Sequence, residues 1–286
     1  MGTRGAYGFR INNQDKLTYN HWDSYPSGLG DDVAQFVRTT SKVEIHKIAE
    51  AVQLVSEETP PTQDQIAECL AYADTSVSSR QLTEWYVLLR KAQGDLGALK
   101  EGLKYLVDGN SFVGDSLFCE WAYVIDVDTD SLEIYKGFQE SLGTGRYNQA
   151  FPVKKDRDGK ERIGDHTGVA LVYTVPMGVL RALQAEDVRA LICAFEKVIY
   201  GKDSDDEETV AEVEQAQQLI AQLLATRPRD EPVEQMEQAN GSPALKDDAD
   251  LLRQIYEGRN DGLTVLPPDI LQKLEAHFSA KSTQAA

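Results

Sequence analysis

Hydrophobic and small or polar residues alternate near the start of the chain. Tyr7, Phe9 and Ile11 keep the two-residue period of a half-buried strand. Strands are predicted over 5–11 and 16–22, around Asn12-Asn13-Gln14-Asp15. The segment Pro26-Ser27-Gly28-Leu29-Gly30 breaks the alternation, and Asp31-Asp32 opens a helix with Val33, Phe36 and Val37 on one face. Ser41 with Glu44 starts the next helix as a capping box, and Ile45, Ile48, Ala49, Val52 and Val55 continue it. Thr62 with Gln65 repeats the signal after Pro60-Pro61. A helix pair is predicted over 80–107, split at Gly94-Asp95.

The clearest hairpin joins 118–127 to 131–138 through Asp128-Thr129-Asp130, because both arms are rich in aromatic and β-branched residues. Residues 140–167 read as a glycine-containing loop. Residues 168–175 read as a strand stopped by Pro176, and helical spacing runs from Val179 to Gly201. A charged linker, 202–208, precedes a helix with Val210, Val213, Ile220, Leu223 and Leu224. Residues 228–243 read as a flexible linker, and short helices close the chain near 244–257 and 267–278. Five strands placed among helices without strict alternation predict an α+β fold. Two hairpins and one strand would form a small mixed or antiparallel sheet. The domains are then a core over 1–201 and an acidic helical extension over 202–286.

Composition changes this picture little: 41% of residues are hydrophobic and 27% charged. Charge changes it more. The formal net charge is −18, of which residues 203–286 carry −11. Such a field repels nucleic-acid backbones and anionic membranes, so no direct nucleic-acid partner is expected. The extension suits a protein partner or simple solvation. No run is long enough for a membrane span, and the first residues lack a signal peptide's apolar stretch. Cys69, Cys119 and Cys193 are scattered, which predicts buried thiols in a reducing, cytoplasmic compartment and neither a disulfide framework nor a zinc site. No metal and no cofactor are expected.

Candidate chemistry concentrates in Tyr19-Asn20-His21-Trp22-Asp23-Ser24-Tyr25. If the strand continued to Tyr25, alternation would put Tyr19, His21, Asp23 and Tyr25 on one side. His21 could then act as a general base with Asp23 fixing its tautomer. Tyr19, Asn20, Trp22 and Tyr25 would line a binding surface, with Arg4 holding an anion. The alternative is a structural turn, in which the short polar side chains cap backbone groups. Arg146, after Gly143-Thr144-Gly145, is a second candidate for an anionic ligand, against a plain loop. Asp126, Asp128 and Asp130 have calcium-loop spacing, but Ser131 and Gly137 stand where such a loop needs Gly and Glu.

The runs Met1-Gly2-Thr3-Arg4-Gly5, Tyr19–Pro26, Glu84–Leu89 and Cys119–Ile125 resemble a family of uncharacterised bacterial and phage proteins, a likeness that implies no particular activity. Asn20-His21-Trp22-Asp23 also resembles, in permuted form, a motif of N-terminal-nucleophile hydrolases such as the choloylglycine hydrolase group. That resemblance implies a related layered fold. Gly2 stands where that family places its nucleophilic cysteine, so its chemistry is not implied. Two functions follow as expectations. The first is a binding or interaction protein of unknown partner. The second is a small hydrolase or transferase with His21 as general base.

Overall fold

A computed structural model describes residues 2–149, 153–155, 158–201 and 204–226. The fold is α+β. The first hairpin pairs β1 (Gly5–Ile11) with β2 (Gln14–Asn20). Its two turn residues, Asn12 and Asn13, have φ of 53° and 58°, the left-handed pair that a two-residue hairpin of native twist requires. A helical stretch follows: α1 (Asp31–Thr39), α2 (Lys42–Ala51), β3 (Gln53–Val55), α3 (Gln63–Cys69), α4 (Trp85–Leu88), α5 (Gly97–Lys100) and β4 (Tyr105–Val107). The chain then forms β5 (Trp121–Asp126), β6 (Ser131–Lys136), β7 (Val153–Lys155), β8 (Glu161–Ile163) and β9 (Ala170–Pro176). Helices α6 (Met177–Ala182), α7 (Ala185–Gly201) and α8 (Glu207–Leu224) close the described part.

The main sheet has the order β2-β1-β5-β6-β9. It is mixed, because β1 and β5 run parallel while its other neighbours are antiparallel. The two-residue period separates its faces. Tyr7, Phe9, Trp121, Tyr123, Ile125, Leu132 and Ile134 belong to the large core shared with Val33, Val37, Leu191 and Phe195 of the helices. The opposite face carries a smaller apolar cluster, with Ala6, Ala122, Val124 and Tyr135 beside Val113, Cys119 and Val169. Along this second face the same parity places Arg10, Asp126 and Glu133.

Several elements depart from the pattern-based expectation. Strand β2 ends at Asn20, not at 22, because the chain turns there. Helix α2 stops at Ala51: the Lys16 ammonium donates to the carbonyls of Ala49, Glu50 and Val52, which caps its end. Gln53–Val55 then pairs with β4 in parallel. The helix pair expected over 80–107 is two four-residue helices and a strand. Gly94 has φ of 80°, and Asp95 draws in the Gly97 N–H at 2.8 Å, so the chain turns repeatedly while Trp85, Leu88, Leu96 and Leu99 stay in the core. The loop expected over 140–167 contains the β7–β8 hairpin. The helix expected from 179 to 201 is broken at Leu183, whose backbone is extended.

Helix α8 lies along α7, with Ala216 and Leu223 buried and Leu223 part of the main core. Of the acidic stretch, Asp206 caps α8 by accepting the Thr209 N–H at 2.9 Å, and Glu207 and Glu208 form its first turn. The linker near 228–243 and the two short helices predicted after it lie outside the described residues. Among the described residues no helix is long and apolar enough to cross a membrane.

Candidate functional site

The candidate segment begins where β2 ends. Asn20 is buried, and its amide donates to the Ser24 hydroxyl at 2.8 Å and to the Trp22 carbonyl. Ser24 is also fully buried. Its N–H donates to the Thr3 carbonyl at 3.1 Å, and its carbonyl accepts from the Tyr123 hydroxyl at 2.9 Å. Asp23 sits at φ 49°, in the left-handed region that a short polar side chain tolerates best after glycine. Its carbonyl accepts the Leu29 N–H at 2.9 Å. These bonds make residues 20–24 a stapled turn, so the condition for alternation through Tyr25, a strand that continues so far, is not met.

That turn separates the two residues proposed to act together. His21 Nδ1 shares a 2.7 Å hydrogen bond with the Tyr19 hydroxyl, and its ring meets Trp22 edge-on at 4.1 Å. Asp23 is exposed, and its carboxylate has no hydrogen-bond or ion-pair partner among the described residues. The His21–Asp23 pairing read from spacing is thus replaced by a His21–Tyr19 pairing. Burial raises the Tyr19 phenol pKa, against a lowering by nearby Arg4, so Tyr19 keeps its proton. Arg4 lies over the Phe118 ring at 5.0 Å, and its N–H donates to Glu120.

Arg146 goes elsewhere. Gly145 precedes it at φ 93°, where a Cβ would stand 2.6 Å from Leu171. This glycine lets the loop lie close to the sheet and turns Arg146 onto its second face. There the guanidinium grips both oxygens of Glu133 and donates to Asp126 at 2.7 Å. Asp126 is only 1% exposed. Arg10 completes the cluster, 2.8 Å from Asp15 and 3.8 Å from Asp126. Asp128 accepts the N–H groups of Asn12 and Asn13, both at 2.8 Å, and Asp130 pairs with Arg181 and Lys42. Every carboxylate of the calcium-like spacing therefore faces protein donors. Among the described residues no His/Cys/Asp/Glu group has the makings of a metal site.

Two hollows flank the 19–25 segment. One is an open groove of about 690 Å³ that takes in Asn20, Trp22, Asp23 and Tyr25, with Asp32 and Asp95 opposite. Burial raises the Asp32 carboxyl above its usual range, helped by Asp31 and Asp95. The other is a more enclosed pocket of about 290 Å³. Tyr19 contributes one wall, Trp85, Tyr86 and Tyr105 add further rings, and Leu89, Leu103, Leu106 and Val107 supply apolar surface. Trp85 is held by its indole N–H, which donates to the Thr59 carbonyl at 2.9 Å, and by the Tyr105 ring at 5.7 Å. Tyr7 closes the depth of the pocket. Its hydroxyl accepts the Gly94 N–H at 3.0 Å, and burial pushes its phenol up to about 12. Arg90 and Gln93 bring polarity: Arg90 donates to the Gln93 side chain and lies over Tyr86 at 5.3 Å.

Of the residues singled out from sequence, the structure puts Tyr19 on the pocket and Asn20, Trp22, Asp23 and Tyr25 on the groove. Arg4 and His21 lie beside Tyr19, and Arg146 belongs to the ion cluster. The pocket's other rings and Arg90 were missed. The signal available was Trp85-Tyr86 together with Arg90, three aromatic or cationic residues within six positions of a segment that reads as an ordinary helix. Burial raises the pKa of the Cys69 thiol to about 11, and it raises those of Cys119 and Cys193 as well, so none is a ready thiolate nucleophile. Comparison with protein-family models, curated proteins and solved structures finds no match to this chain.

Proposed function

We propose that this chain is a binding protein and that its ligand is a small molecule held in the aromatic pocket between β2 and residues 85–107. The observation that carries this reading is the pocket's construction: a half-enclosed cavity of about 290 Å³ walled by Tyr19, Trp85, Tyr86 and Tyr105. Its size lies near the lower end of the range of about 300–1,000 Å³ for small-molecule sites, and an apolar wall with few polar groups is their usual composition. Trp85 and Tyr105 belong to the core, and Trp85 is tied to the Thr59 carbonyl, so these two walls are in place without a ligand. Three unpaired thiols favour a reducing, cytoplasmic setting for this activity.

The test is ligand-observed NMR with a neutral two-ring probe such as indole, against the full chain and against Val107→Phe, which narrows the pocket. Magnetisation transfer to the probe is expected with the parent and is expected to fall sharply with Val107→Phe. No transfer from the parent, or transfer unchanged by the substitution, would contradict the reading.

A small hydrolase or transferase is the second reading, favoured by the Tyr19–His21 hydrogen bond beside the pocket. In it His21 is the general base, and Tyr19 rather than Asp23 orients the ring. Resemblance to N-terminal-nucleophile hydrolases supports it only at the level of a short motif, since Gly2 carries no nucleophile. Turnover of ester or amide probes that disappears in His21→Ala at parental stability would establish it over the first reading.

A further inference from the structure

We infer that the pocket's ligand is a planar aromatic carboxylate, with its rings against Trp85 and Tyr86 and its carboxylate on the Arg90 guanidinium. This deepens the reading of the pocket as a binding site and rests on it. The argument begins with donor supply. A guanidinium carries five N–H donors in a planar fork and cannot lose its charge. In Arg90 one donor meets a protein acceptor, the Gln93 side chain. No carboxylate forms an ion pair with Arg90 among the described residues, although the chain has 47 acidic residues against 29 basic ones. Arg10, Arg146, Arg181 and Arg189 each pair with at least one carboxylate; Arg38 meets Gln35 and Arg4 lies over Phe118, but neither lines the pocket. Arg90 is half-buried on the wall of an apolar cavity. Nearby Asp74, held low mainly by hydrogen bonds from Ser76, also feels the charges of Lys91 and Arg90, but among the described residues no carboxylate forms an ion pair with Arg90.

The surroundings choose among anions. The guanidinium carbon lies 5.3 Å from the centre of the Tyr86 ring, and the planar fork of a guanidinium favours a flat two-oxygen acceptor that can bond side by side. The Trp85 indole N–H is already taken by Thr59, so that ring offers a face and an edge but no donor. Offset or edge-to-face contact with another aromatic ring is what such a surface does best. A cavity of about 290 Å³ suits one or two fused rings with a short acidic arm. Glu57, the single carboxylate on the pocket wall, is exposed, so an ammonium group would find no buried counter-charge inside.

The test uses isothermal titration of the full chain with indole-3-acetate, indole-3-acetamide and tryptamine, which present the same rings with an anionic, a neutral and a cationic arm. The parent is expected to bind the acetate at least tenfold more tightly than the acetamide. Arg90→Gln is expected to erase that preference. Acetamide or tryptamine binding as tightly as acetate overturns the inference and leaves the pocket reading intact, because a ligand still binds. An acetate preference that survives Arg90→Gln overturns it too. Silence with all three ligands, and with neutral indole, overturns the pocket reading and the inference together. Should Arg90→Gln not fold, Arg90→Lys decides the same point by keeping the charge and losing the fork: a narrowed preference supports the inference, and an unchanged one overturns it.

Discussion

Two arginines, Arg146 and Arg90, show how differently one side chain can be used in one fold. Arg146 follows a Gly-Thr-Gly loop, the kind of setting that suggests an anion site, yet its donors meet Glu133 and Asp126. Arg90 sits in a segment that reads as plain helix, yet most of its donors face no protein acceptor. The difference comes from which carboxylates the sheet brings near. Strands β5 and β6 place Asp126 and Glu133 on the face that Arg146 covers. Among the described residues the one acid on the pocket wall beside Arg90 is Glu57, which is exposed and lies on no strand. Availability for a ligand is thus a tertiary property, and the local sequence around either arginine points the wrong way.

The comparison makes its strongest prediction at Arg146. Replacing it with alanine leaves Glu133 without its cation and Asp126 with only Arg10, 3.8 Å away, and a buried pair broken on one side costs about 3–5 kcal/mol. Denaturant unfolding of Arg146→Ala should show that loss, with probe affinity per folded molecule unchanged. A loss below about 1 kcal/mol, within the range of exposed ion pairs, would mean that the cluster is solvated and the contrast with Arg90 is false.

The next effect is at Asn20. Its amide joins Ser24 and the Trp22 carbonyl, so Asn20→Ala should destabilise by about 1–3 kcal/mol through the unsatisfied partners. Chemical unfolding of this variant beside the parent checks it. Parental stability would show that the turn is held by its backbone bonds alone, and would return residues 19–25 to the status of a free surface.

A smaller effect is expected at His21 and Asp23. Asp23 is exposed, and Asn is tolerated at its left-handed φ. His21→Ala and Asp23→Asn should each stay within about 0.5 kcal/mol of the parent. A cost above about 2 kcal/mol at Asp23 would reveal a partner for its carboxylate and revive the His21–Asp23 pairing.

The smallest effect concerns pH. The N–H groups of Asn13 and Asn12, with help from Arg10 and Arg146, hold the Asp128 carboxyl below its usual range. A depressed folded-state pKa contributes stability above the unfolded value, about 3.9, and that stability is lost as pH falls through the folded value. The stability gap between parent and Asp128→Asn should therefore be present at neutral pH and close in acid below about pH 4. A gap that grows in acid would reverse the sign and remove Asp128 from the hairpin's support.

Much of the fold was legible from local pattern. The first hairpin shows a period of two around Asn-Asn, the second is rich in aromatic and β-branched residues around Asp-Thr-Asp, β9 is an apolar run stopped by Pro, and helices α2 and α3 start at side-chain caps from Ser41 and Thr62. Segment 80–107 was not legible, because its turns depend on distant partners: Tyr7 takes the Gly94 N–H, and β3 pairs with β4. Of the candidate site, Tyr19 was found for the wrong neighbour. His21 does pair, but with the tyrosine two residues before it. The pocket escaped because its walls come from residues 18–19, 85–93 and 103–107, and no single run displays more than one wall.

Hydrogen exchange with and without saturating indole-3-acetate tests the central claim most directly, since it reports where a ligand sits without presuming a substituted residue. Protection is predicted at Trp85–Gln93, at Tyr105–Val107 and at the end of β2, with none across residues 140–149 around Arg146. Protection confined to the Trp22–Gln35 groove, or appearing at Arg146 with residues 85–107 unchanged, would contradict the account.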